Sequence, residues 1–204
     1  MSSARGRWIK AGLYAGTAVA IGVATKKGAG REIDDKAFHA LNGSHDPVRD
    51  AVFGGVTELG SIWASVAGGA VIAASGRRRA AASAVAAAAA AWVLGQAMKK
   101  GYNRPRPYDM HPETARRVIG KPSGTSWPSS HPAVFLAFLT TVGRGLDLPP
   151  AARAASLGLA GSVAVSRTYL GVHFPSDILS GLLLGRAIGL IWPIPEQAEG
   201  NRWF

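Results

Sequence analysis

The 204-residue chain contains no cysteine, which excludes disulfides, thiolate metal sites and a cysteine nucleophile. Charge is sparse at 17% of residues, and the shortage is of negative charge: 12 acidic side chains stand against 23 basic ones, for a formal net charge of +11. That excess admits three kinds of partner: nucleic acid, anionic lipid head groups, or a phosphorylated substrate. Basic surfaces for nucleic acid usually sit on soluble folds. Here the basic residues lie between apolar runs, so a nucleic-acid partner is not expected. No HExxH spacing and no P-loop occur, so no metal and no cofactor are expected. Long hydrophobic runs are diluted by 26 glycines and many alanines, which hold the mean hydropathy to +0.12. The runs emerge only in windows.

Those windows predict an all-α chain, a single integral membrane domain over residues 1–204, built as a six-helix transmembrane bundle. The spans are expected at about Trp8 to Ala24, Val56 to Ser75, Ala80 to Met98, Pro132 to Leu146, Ala151 to Val165 and Ser176 to Trp192. A short interfacial helix falls between the first two, with Ile33, Ala37, Ala40 and Leu41 on its apolar face. Glycines every fourth residue at 181, 185 and 189, and at 12 and 16, read as close helix packing. Basic residues at 5, 7, 10, 77 to 79, 144 and 153 put one end of the bundle in the cytoplasm by the positive-inside rule. The opposite end then carries the long loop from Gly101 to Pro128, which is itself strongly basic. A function that needs cations there would account for that conflict.

Three polar clusters share this second end. Ser166 to Asp177 sets an arginine, a histidine and a carboxylate between two apolar runs. Polar groups so close to hydrocarbon make a functional site the default reading. Pro175 starts a helix, so Asp177 sits in its first turn, four residues past His173. From there it can accept the Nδ1–H of His173 and leave Nε2 as a free lone pair. Lys99 followed by Arg106-Pro107 forms the second cluster, and Pro128-Ser129-Ser130-His131 the third.

Taken singly, each cluster also reads as a helix start or a positive flank. Together they offer what phosphoryl transfer requires. Lys99, Arg106 and Arg167 would hold phosphate, with Ser129 and the amides near Ser130 adding donors. His173 would attack phosphorus, and His131 would protonate the leaving oxygen. Arg104, Arg116 and Arg117 have no place in this scheme and read as head-group contacts or solvated charge. Trp127 and Tyr169 read as interface anchors.

In order and spacing the three clusters resemble the signatures of the type 2 phosphatidic acid phosphatase superfamily, the lipid phosphate phosphatases. The resemblance implies a metal-independent membrane phosphatase working through a phosphohistidine. Phosphatidate, phosphatidylglycerol phosphate and polyprenyl diphosphates are its candidate substrates, and membrane lipids its only other expected partners; no motif bears on oligomeric state. One departure stands out, because Ser130 occupies a position that is glycine in the family. Two alternatives remain. Vanadium-dependent haloperoxidases resemble the family in the same residues but are larger and soluble. A non-catalytic lipid-phosphate binding or transport protein would need the cations and not His131, His173 and Asp177.

Overall fold

The computed structural model describes residues 3–43 and 45–194; the expected 1–204 domain runs past them at both ends. Among the described residues there are nine helices and no strand. They are α1 (Ala4–Lys26), α2 (Arg31–Asn42), α3 (Pro47–Glu58), α4 (Ile62–Ala74), α5 (Arg78–Tyr102), α6 (Pro107–Met110), α7 (Ser130–Gly145), α8 (Pro150–Tyr169) and α9 (Pro175–Ile191). The all-α expectation is met.

The starts follow from local chemistry. Ser3 caps α1 by accepting the Gly6 N–H at 3.1 Å, Asp46 caps α3 through the Val48 and Arg49 N–H groups, and Ser61 caps α4 through Ala64. Proline opens α3, α6, α8 and α9, where its missing N–H is not needed.

Helix α7 is the central element: twelve of its sixteen residues are buried, and it packs on α4, α5, α8 and α9. Val134, Phe138 and Val142 pack on Ala84 and Ala88 of α5, and Phe135 and Leu136 pack on Ala160 and Val163 of α8. The expected glycine stripe on α9 lies against α7. A Cβ at Gly181 or Gly185 would sit 2.3 Å from the carbonyl oxygen of Ser129 or Ala133, and one at Gly189 would sit 2.5 Å from Thr140 Cβ. The stripe expected on α1 does no such work, since nothing lies within 4 Å of a Cβ at Gly12 or Gly16. On α1 the close approach is made by Gly22 instead, beneath the indole of Trp127.

Three details depart from expectation. The second expected span is broken into α3 and α4, bent by 62°. Gly60 at the break passes so close to Val163 and His131 that a Cβ there would lie 2.7 and 2.8 Å from them, and Ser61 caps the new helix. The interfacial helix is present as α2, but its inward face is Asp34, Phe38 and Asn42, while Ile33 is 75% exposed. Spacing of four governs in both cases; the buried face is the one whose polar ends find partners. Six spans, finally, is not what helix length and composition return by themselves. Among the described residues only Arg78–Met110 is long and apolar enough to cross a membrane, or two if the bent pair is one span. Helices α7 and α9, at 16 and 17 residues, fall short of the ~20 residues of a full crossing.

Large apolar side chains nevertheless face outward on most of the bundle, among them Trp8, Leu13, Trp63, Val71, Trp92 and Val93. Replacing Gly185 with alanine should cost about 1–3 kcal/mol, because α9 must move off α7. Gly16→Ala should be neutral or gain up to about 1 kcal/mol of helix propensity. Thermal unfolding of the two variants in detergent checks this; equal midpoints would refute the packing role of the α9 stripe.

Candidate active site

The three sequence clusters meet at one cavity of about 230 Å³. It lies beside the N-terminus of α7, so the positive end of that helix faces it. Lys99, Arg106, Ser130, His131, Arg167 and His173 line the cavity, together with the α3–α4 break at Gly60 and Ser61. No carboxylate is among the lining residues. Lys99, Arg106 and Arg167 are almost completely buried, and the assembly therefore favours an anion of compact shape.

Each cation arrives by a different route. Lys99 is in the last turn of α5, whose end is set by Asn103 in the left-handed region at φ 50°. Arg167 sits in the last turn of α8, which runs four residues further than expected. Its Nη1 donates to Thr57 Oγ1 at 2.7 Å, and its Nε has no partner. Arg106 is fastened by the loop: Nε donates to the Gly124 carbonyl at 3.0 Å, Nη2 to Ser123 at 3.2 Å and Nη1 to Val172 at 2.8 Å.

The Nη1 of Arg106 also lies 3.2 Å from His173 Nε2. With Nε2 as acceptor, the proton of the neutral ring is on Nδ1. Nδ1 faces Asp177 Oδ2 at 3.6 Å and Ser126 Oγ at 3.5 Å. The expected Asp177–His173 pairing thus exists as proximity rather than a direct hydrogen bond. Oδ2 is already accepting from the Ser126 hydroxyl and from the Phe174 N–H at 2.9 Å. Burial first, then the charges of Arg106, Lys99 and Arg167, hold the His173 imidazole well below its usual pKa, so it is neutral at pH 7. A histidine that binds fewer protons folded than unfolded costs stability only as pH falls below about 6.5.

Ser129 and Ser130 diverge. Ser130 lines the cavity, with a hydroxyl that has no partner. Its φ is not positive, so the serine at the family's glycine position imposes no backbone strain. Room for its side chain comes from Gly95 on α5, where a Cβ would lie 3.1 Å from the Ser130 Oγ. Ser129 is not on the cavity wall: it is fully buried, its hydroxyl has no partner, and its N–H donates to the Asp177 carbonyl at 3.1 Å. That amide ties the start of α7 to the start of α9.

A model of the PAP2 superfamily matches residues 80–198. The chain belongs to the PAP2 superfamily. The decaprenylphosphoryl-5-phosphoribose phosphatases of two Mycobacterium tuberculosis strains, CDC 1551 / Oshkosh and H37Rv, are 36% identical over 101 residues, covering 50% of this chain and 52% of each relative. This PAP2 chain therefore spans about half the length of the curated relatives it matches. Among solved structures it is similar to a transmembrane PAP2-type phosphatidylglycerolphosphate phosphatase from Bacillus subtilis, with a TM-score of 0.74, 22% identity, and coverage of 88% of this chain and 92% of that one. LpxE of Aquifex aeolicus follows at a TM-score of 0.66 and 24% identity, covering 76% and 92%. Both likenesses establish the helical fold.

The PAP2 signatures do not include the residue that holds this site together. Arg104 is not solvated; its Nη1 donates to Asp177 Oδ1 at 2.6 Å and to Ser176 Oγ at 2.7 Å, and its Nη2 to Asp34 Oδ2 at 2.7 Å. Its guanidinium also lies over the Phe174 ring at 4.4 Å. Asp34 completes the unit by accepting the Ser176 N–H at 2.8 Å. The sequence signal for Arg104 was its place between Asn103 and Pro105, two residues before Arg106; for Asp34 it was the four-residue spacing to Phe38 and Asn42. Ser126 carried no signal. Trp127 and Tyr169 are interior rather than interface residues, the former stacked on Tyr102 and the latter donating to Asp50 at 2.8 Å.

Arg104→Ala leaves two buried carboxylates without their cation and should cost about 3–5 kcal/mol. Denaturation in detergent measures it, and a loss within about 0.5 kcal/mol, as for an ordinary surface substitution, would show that the bridge does not hold the site.

Proposed function

We propose that this chain is an integral membrane phosphatase that hydrolyses a phosphomonoester or diphosphate on a lipid, without a metal, through a phosphohistidine. The observation that carries the reading is the convergence of His131 and His173 on one cavity walled by Lys99, Arg106 and Arg167. Substrate phosphate, doubly negative, would accept the Arg106 Nη1–H hydrogen bond now directed at Nε2 and so free the lone pair for attack. The free Nε of Arg167, the Lys99 ammonium and the Ser130 hydroxyl would hold the equatorial oxygens. Bond formation between Nε2 and phosphorus accompanies cleavage of the bond to the lipid oxygen, which leaves with a proton from His131. Water then attacks the phosphohistidine, giving up its proton to His131 and releasing inorganic phosphate.

Arg104 and Asp34 serve as positioning residues. They fix Asp177, and Asp177 with Ser126 fixes the ring that attacks. The mycobacterial relatives bring a polyprenyl-linked sugar phosphate into the candidate substrates, beside phosphatidate, phosphatidylglycerol phosphate and polyprenyl diphosphate. The site opens on the end remote from Arg5, Arg7 and Arg77 to Arg79, which supports an extracytoplasmic-facing site under the positive-inside rule.

Phosphate release by detergent-solubilised protein across that substrate panel tests the chemistry. His173→Ala should lower turnover by at least about 10³-fold while lipid-phosphate binding persists, and a rapid alkaline quench of wild type should trap labelled phosphohistidine. Because His173 is neutral in the empty enzyme, the acid limb of kcat/KM assigned to it should fall below pH 6.5. Normal hydrolysis by His173→Ala refutes the mechanism. Sidedness is checked separately, since the chain lacks cysteine: an impermeant thiol reagent on whole cells should label a cysteine placed at Thr125 and spare one at Ser75. The reverse pattern inverts the topology.

A further inference from the structure

Fourteen residues separate Ser130 from Arg144, so the C-terminal end of α7 lies about 20 Å from the catalytic cavity by helical rise. A second cavity of about 180 Å³ opens there, between α1, α7, α8 and α9. Its wall carries Lys10 and Arg7 of α1, Arg144 of α7, Arg153 of α8 and Arg186 of α9, with no carboxylate among the described lining residues. The hydrogen bonds of Arg144, Arg153 and Arg186 leave most of their charge in place. Arg144 donates to the carbonyls of Gly189 and Trp192 at 2.7 and 2.9 Å, and Arg186 donates to Thr140 Oγ1 at 3.1 Å. Both sets of acceptors are neutral. Arg153 pairs with Asp147 at 2.9 Å, but that carboxylate is 83% exposed, a pairing that water and salt weaken.

Four leucines, Leu136, Leu139, Leu157 and Leu190, share the wall with the cations and with Tyr14, Thr140 and Ser156. A free inorganic anion would satisfy the charges and leave the leucines idle. A phosphate joined to acyl chains would use both. The cavity is also on the side where Arg5, Arg7 and Arg77 to Arg79 gather, and basic pockets between helices at a cytoplasmic face are sites for anionic lipid head groups.

We propose that this cavity binds the phosphate of an anionic phospholipid of the cytoplasmic leaflet. Its phosphodiester sits among Lys10, Arg144, Arg153 and Arg186, and its chains run along the leucines. Helix α1 packs chiefly on α9, with Ala11 against Ala187 and Leu190. A phosphate bound by Lys10 on one side and by Arg144 and Arg153 on the other adds a second attachment, joining α1 to α7 and α8. The site is separate from the catalytic cavity and does not depend on the reaction proposed above.

The test is thermal unfolding of the full chain in neutral detergent, titrated with short-chain phosphatidylglycerol, short-chain phosphatidylcholine or inorganic phosphate. Phosphatidylglycerol should raise the midpoint saturably, with little effect from phosphatidylcholine and none from inorganic phosphate beyond what Lys99→Gln removes. A Lys10→Gln, Arg153→Gln double variant, altered at two outward-reaching side chains, should need at least tenfold more phosphatidylglycerol for the same shift while hydrolysing a short-chain lipid phosphate at the wild-type rate. Lys99→Gln, in the other cavity, should keep the wild-type titration. The proposal is overturned if phosphatidylcholine acts equally, if the double variant titrates like wild type, or if only Lys99→Gln loses the response. Inorganic phosphate can also occupy the catalytic cavity, so its own titration is read in Lys99→Gln: a shift there equal to that with phosphatidylglycerol, and lost when Lys10 and Arg153 are also replaced, assigns the site to the free ion and overturns the lipid. Should the double variant fail to fold, native mass spectrometry of the unaltered chain decides: phosphatidylglycerol must be retained over phosphatidylcholine at equal concentrations.

Discussion

Three cations held around one small cavity repel each other, and the rest of the structure is arranged so that they cannot move apart. Arg106 is pinned by three carbonyl groups, Arg167 by Thr57, and Lys99 by its place in the final turn of α5. None of these contacts neutralises charge. A carboxylate within the cavity would quench the field, and Asp177 is kept behind His173 with its oxygens occupied by Arg104, Ser126 and the Phe174 amide. The site therefore keeps its positive potential for an incoming anion while Asp177 is already paired. Preorganised charge of this kind needs no rearrangement when charge develops in the reaction.

Packing explains how such a site is made rigid. The start of α7 supplies His131 and Ser130, and α7 is gripped on four sides by α4, α5, α8 and α9. The glycines of α9 bring that helix into contact with the α7 backbone along its length, so His173 and Asp177, just ahead of and within the first turn of α9, are registered against His131. The Ser129–Asp177 backbone bond fixes that register at the site itself.

Much of this was legible in the residues. The spacing within Lys99 to Pro107, Pro128 to His131 and Ser166 to Asp177 identified the wall of the cavity, and apolar windows located α1, α5, α7, α8 and α9 to within about four residues, while most of α3 fell outside them. What escaped were features created by tertiary contact. Whether a polar residue on an amphipathic helix faces solvent or a partner cannot be known from its own helix, so Asp34 was simply left off the face of Ile33, Ala37, Ala40 and Leu41. Arg104 looked like one basic residue among many until its two carboxylate partners, about 70 residues away on either side, were in place. The 62° bend after α3 depends on how closely Gly60 passes His131 and α8, and neither neighbour is local in sequence. Ser129 misled because a motif position was taken to imply a cavity-facing side chain.

The serine at position 130 has a counterpart on α5. With Gly95 bare of a side chain, the Ser130 hydroxyl fills the volume that a Cβ at 95 would claim. The two positions share one allotment of space, and bulk gained at either must be given up at the other. Substitutions there will not add: they form a single exchangeable unit, through which the volume at the cavity wall can be shifted from one helix to its neighbour without altering any of the residues that carry charge.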